Sequence, residues 1–222
     1  MADTRASAVA EARKLKQALL KAGVPQVSIE VVQGRPSPYG RWNAQFVVAS
    51  FAHHTVSRFS RTNRTPCLSL VKRGRSDLPG PLCNGYGGFD LVARIITLGY
   101  ANHPGAGGPL VVPSGVSKPR TYTIPRDSAR RYTFGWEFEG GLNESDWDRV
   151  YTNQATGKKM DFHEFMARCL NGTQAMYDLP LAAHAEHKTW TRRKVDRLGY
   201  TKAEAIAKMR KYRGSGPKAR RS

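Results

Sequence analysis

Cysteine, acidic side chains and long apolar runs are all scarce in this chain of 222 residues. Cys67, Cys83 and Cys169 are too few and too scattered for a disulfide framework or a four-thiolate metal site. Each reads as a small buried hydrophobe. No apolar run approaches the roughly 20 residues of a membrane span. The N-terminus does not read as a secretory leader either, because Glu11, Arg13, Lys14 and Lys16 interrupt any apolar stretch. The expected site of synthesis is the cytoplasm, and action beyond it would require the membrane to be breached. Acids number 17 against 36 bases, a net charge of +19. Seven of those bases lie in residues 208–222, which hold no acid; without them 29 bases still face 17 acids, leaving +12. A field of this sign concentrates polyanions, whether nucleic acid, anionic wall polymer or anionic membrane.

What is present alternates between helical and extended patterns. Ala8, Ala12, Leu15, Leu19 and Ala22 fall at helical spacing, predicting an amphipathic helix over residues 4–22 that Gly23 and Pro25 end. Val27, Ile29 and Val31 alternate as in a half-buried strand, and the turn-rich residues 33–41 follow. An apolar run from Gln45 to Phe51 predicts a central strand ending at His53-His54-Thr55, and Pro66–Lys72 a short helix. Strands are expected on either side of a glycine turn at residues 85–88, then loop over 99–119. A strand is expected over 132–139, a helix over 161–179 and a last helix over 202–212. Interleaved strands and helices favour α/β: one domain, a mixed central sheet flanked by helices. The boundaries read as an N-terminal helix and connector over 1–44, a main domain over 45–212 and a basic tail over 213–222.

Histidines and carboxylates carry the candidate chemistry. His53 and His54 are adjacent at a strand end, so only one can face a given site. Glu137 and Glu139 are two apart on a strand and share a face, either a solvated edge or a working pair. His163 reads as a surface residue. The segment His184 to Asp196 holds His187 and Asp196 with Lys194 between them. A catalytic zinc needs three protein ligands and one open position, and spacing alone does not single out that set.

Taken in order, five stretches resemble one known family. They are His53-His54-Thr55; Gly74 through Asn84 (GRSDLPGPLCN); Gly99 through Gly105 (GYANHPG); Gly135-Trp136-Glu137-Phe138-Glu139; and His187-Lys188-Thr189-Trp190 through Lys194-Val195-Asp196. Together they resemble the zinc amidases that cleave N-acetylmuramoyl-L-alanine, a family that includes phage amidase lysins and, more distantly, peptidoglycan recognition proteins. The resemblance runs from about Val47 to Asp196.

By position, the resemblance implies zinc held by His53, His187 and Asp196. Glu137 would be the catalytic carboxylate and Lys194 the cation facing the substrate carbonyl. Asn102 and His103 would lie on a loop beside the cleft, in substrate contact. The implied partner is bacterial peptidoglycan, with anionic wall polymers attracted by charge, and a monomer is expected. Glu186, Thr191-Arg192-Arg193, Arg197 and Pro104 depart from the family pattern in its loops, and His184, three residues before His187, is a competing ligand. Two alternatives stand beside the enzyme. One is a non-catalytic peptidoglycan-binding module, which would lack a zinc ligand such as Asp196. The other is a nucleic-acid-binding protein, for which charge alone argues; without a readout motif, nucleic acid is not the expected partner.

Overall fold

Residues 4–31, 47–103, 105–112, 121–143, 145–180, 183–185 and 202–212 are described by the structure, a computed structural model. Helix α1 (Thr4–Lys21) buries the expected stripe of Ala8, Ala12, Leu15 and Leu19. Gly23, at φ 92°, then turns the chain into β1 (Gln26–Ile29). Next come β2 (Ala49–His54) and α2 (Leu68–Arg73), which Gly74 ends at φ 86°. β3 (Gly85–Gly87) and β4 (Val92–Ile95) pair antiparallel, as do β5 (Leu110–Val112) and β6 (Tyr122–Ile124). The short α3 (Ala129–Tyr132) leads straight into β7 (Thr133–Phe138). After α4 (Ser145–Asp148), the hairpin of β8 (Val150–Thr152) and β9 (Lys159–Asp161) delivers the chain to α5 (Phe162–Tyr177). β10 (His184–Ala185) and α6 (Lys202–Tyr212) follow.

Six strands make one mixed sheet in the order β1-β4-β3-β7-β2-β10. β3, β7, β2 and β10 run parallel, β4 is antiparallel to β3, and β1 is parallel to β4. The α/β expectation of a mixed sheet flanked by helices therefore holds. Within β7 the period of two sorts the side chains: Phe134, Trp136 and Phe138 face α5, where Trp136 Nε1 donates to Thr173 Oγ1 at 2.9 Å and Phe138 meets Phe165 edge-on. Helix α5 also packs against α1 and α6. Asp161 caps its first turn by accepting the Glu164 N–H at 2.7 Å, and Asp178 ends it at φ 50°. Each fully buried Leu or Phe of this layer contributes about 1.5–3 kcal/mol of apolar burial. On the opposite face of the sheet, α2 places Val71 with Cys83, Tyr86 and Ile96 in a second, smaller core.

Two local expectations are corrected. Gly85–Gly87 is a central strand, not a turn. Its glycines serve close packing: a Cβ at Gly85 would overlap the Trp136 ring, and one at Gly87 the Phe138 ring. The expected loop at 99–119 contains β5, which is paired by the distant β6. The β8–β9 hairpin was also not anticipated. Among the described residues no helix is long and apolar enough to cross a membrane.

Candidate metal centre

Two parallel neighbours, β2 and β7, put His53 and Glu137 opposite each other in register near their carboxyl ends. Side chains at 51 and 53 on β2 and at 135 and 137 on β7 project from the face away from α5. His53 Nδ1 lies 3.6 Å from Glu137 Oε1. The side chains are 12% and 17% exposed, so neither is fully sealed from solvent. His54, one residue on, turns to the other face and packs edge-on to Trp147, with ring centroids 5.6 Å apart. The strand alternation expected for the histidine pair is thus present. His163 also meets Trp147 and sits 3.0 Å from Asp148; it is half-buried, not the surface residue expected, and burial lowers its pKa.

A third side chain arrives from a loop. His103 Nε2 is 3.8 Å from Glu137 Oε1, and its ring centroid is 4.2 Å from that of His53. Phe51 presents its edge to both imidazoles at 6.4 Å, walling the cluster from the sheet side. One ligand atom from each of His53, His103 and Glu137 can be chosen so that all lie within 4.8 Å of one another, a spacing that could hold a metal ion. Two imidazoles and a carboxylate are a donor set suited to zinc and other first-row divalent ions. His103 is only 2% exposed at its side chain, so it belongs to the floor of the site. Its neighbour Asn102 uses its amide to donate to Pro79 O and its backbone N–H to reach Pro81 O at 2.9 Å, tying the loop to the segment before β3.

Glu139 shares the face of Glu137, as the spacing predicted, but has a different environment. It is fully buried. Its carboxylate accepts hydrogen bonds from Thr55 Oγ1 at 2.8 Å, the Cys67 N–H at 2.7 Å, Ser57 Oγ and Tyr86 Oη. The solvated-edge reading therefore fails for this pair, because β7 lies between β3 and β2. Burial pushes the Cys83 thiol well up, and the charge of Glu137 adds to the effect. Burial, then the charge of Glu139, likewise raises Cys67. Both stay protonated thiols beside the carboxylates, poor ligands in that form.

His187, Lys194 and Asp196 lie outside the described residues. β10 ends two residues before His187 and runs parallel to β2, with His184 opposite Ser50 and Ala185 opposite Phe51. For His184, this register position is all that the described backbone supplies. Residue typing alone did not give Gly135 a role, and it gives up a side chain to seat His103; its signals were a glycine inside an otherwise strand-like pattern and its place at the head of the Gly135–Glu139 stretch. Compared with protein-family models, curated proteins and solved structures, the chain matches none, so the functional reading rests on the residues of this centre.

Proposed function

We propose that the chain is a zinc-dependent hydrolase that cleaves the amide bond between N-acetylmuramic acid and L-alanine in bacterial peptidoglycan, acting as a lysin of the phage type. The observation that carries this reading is the convergence of His53, His103 and Glu137 from β2, a loop and β7 onto one metal-capable point. With His53 as the first ligand, the direction of β10, toward the strand end that bears His53, supports His187 as the second and Asp196 as the third, with His103 and Glu137 beside the ion and one position open for water. Zinc held there would lower the pKa of a water ligand to about 7 and polarise the scissile carbonyl. Glu137, partly exposed beside His53, takes the attacking water's proton and passes it to the departing amine. Lys194 supplies positive charge for the developing oxyanion. Phe51 and His103 exclude bulk water from the inner side of the site. The net charge of +19 favours approach to anionic walls.

Digestion of purified peptidoglycan followed by mass analysis of the products tests the reading. Free stem peptides beginning with L-alanine and intact glycan strands are expected. New reducing sugar ends without free L-alanine amines would overturn it.

A further inference from the structure

The GRSDLPGPLCN stretch ends in a residue to which the reading above assigns no role. Asn84 is 3% exposed and uses each of its polar groups. Toward β7, its backbone N–H donates to Gly135 O at 2.9 Å and its Oδ1 accepts the Gly135 N–H at 3.0 Å. Toward the loop that carries His103, its Nδ2 donates to Thr97 O at 3.3 Å and to Gly99 O at 3.0 Å. Its backbone oxygen accepts the N–H groups of Ile96 at 2.8 Å and Thr97 at 3.2 Å. One buried amide therefore joins the strand that presents Glu137 to the start of the loop that presents His103. The join on the strand side is Gly135, the residue whose missing side chain leaves room for the His103 ring.

We infer that Asn84 is the positioning residue of the metal centre, setting the separation of His103 from Glu137 by holding residues 97–99 against Gly135. A buried amide in this place is not exchangeable for a similar group. Aspartate keeps the acceptor but presents oxygen to two carbonyls, and leucine keeps the volume but removes every side-chain hydrogen bond. Groups behind a metal site act on its ligands by orientation, and losing one costs about 10–100-fold in metal affinity. The inference rests on the proposed function only in that the centre binds a divalent metal.

The test uses the full chain, zinc titration and the visible spectrum of its cobalt(II)-substituted form. Asn84→Asp and Asn84→Leu are compared with Thr173→Val, which removes the hydrogen bond to Trp136 on the far face of the same strand. Asn84→Asp should bind zinc about 10–100-fold more weakly than the parent and shift the cobalt bands, while Thr173→Val loses thermal stability with parental affinity and spectrum. If Asn84→Asp and Asn84→Leu do not fold, Asn84→Ser, which retains one donor, should show a smaller loss of affinity in the same direction. Parental zinc affinity and cobalt spectrum in the folded Asn84 variants would overturn the inference while leaving the amidase reading in place. A parent chain that binds no metal would overturn both.

Discussion

The imidazole of His103 occupies the space where Gly135 would carry a side chain: a Cβ built on Gly135 overlaps His103 Nδ1 and Cγ. Gly135→Ala should therefore expel the ring from its seat and separate it from Glu137. The backbone of β7 can accept alanine, so the strand itself should persist. Zinc affinity should fall by about tenfold or more, with a modest change in melting temperature. Calorimetric titration with zinc reads this directly, and unchanged affinity would remove His103 from the centre.

Glu137 stands close enough to His53 to be either a ligand or a base, and one substitution separates the roles. Glu137→Gln keeps the shape and loses the proton acceptor. Zinc content should stay near one per chain while turnover drops by about 10²–10⁴. Lys194→Met should behave in the same way. Metal loss from Glu137→Gln would make the carboxylate a ligand and reopen the role of Asp196.

His53 and His54 point to opposite faces, so alanine at each should give opposite results. His53→Ala should lose zinc, as should His187→Ala. His54→Ala should keep zinc and lose some stability instead, because the ring packs on Trp147. Elemental analysis of the three purified variants checks the assignment.

Glu139→Gln should act on stability more than on chemistry. Replacing one carboxylate oxygen by an NH₂ group turns a donor toward Thr55, Ser57, Tyr86 or the Cys67 N–H, all of which donate to it now. A cost of about 1–3 kcal/mol is expected for buried donors left unmatched. Urea unfolding measures it, and the zinc content should be retained.

Alkaline pH should weaken the same region. Burial, reinforced by the charge of Glu139, pushes the Tyr86 hydroxyl far above the ordinary tyrosine range. A folded pKa above the unfolded value of about 10 means that the fold holds this proton more tightly. The associated stability is intact below about pH 10 and is lost as the pH rises beyond it. Urea midpoints should fall above that pH, and less steeply in Tyr86→Phe.

Much of the architecture was legible in the sequence because burial of one face imposes a local period. The apolar residues of α1 and α5 recur at helical spacing and occupy the core. The alternation along β7 sorted Trp136 and Phe138 from Glu137, and the adjacency of His53 and His54 implied opposite faces. Local pattern also supplied the residue types of the centre. It could not say which of them meet. His103 lies fifty residues beyond His53 on an aperiodic loop, and ties through Asn84 and Asn102 help bring it to the strands. Glu137 and Glu139 look equivalent in sequence, two steps on one strand. Their environments diverge because the chain from Thr55 to Cys67 folds over Glu139 with three donors, Tyr86 of β3 adds a fourth, and Glu137 is left partly open beside His53. Periodicity encodes which side of an element is buried; the closing of loops over that side depends on contacts distant in sequence, and those determine the site.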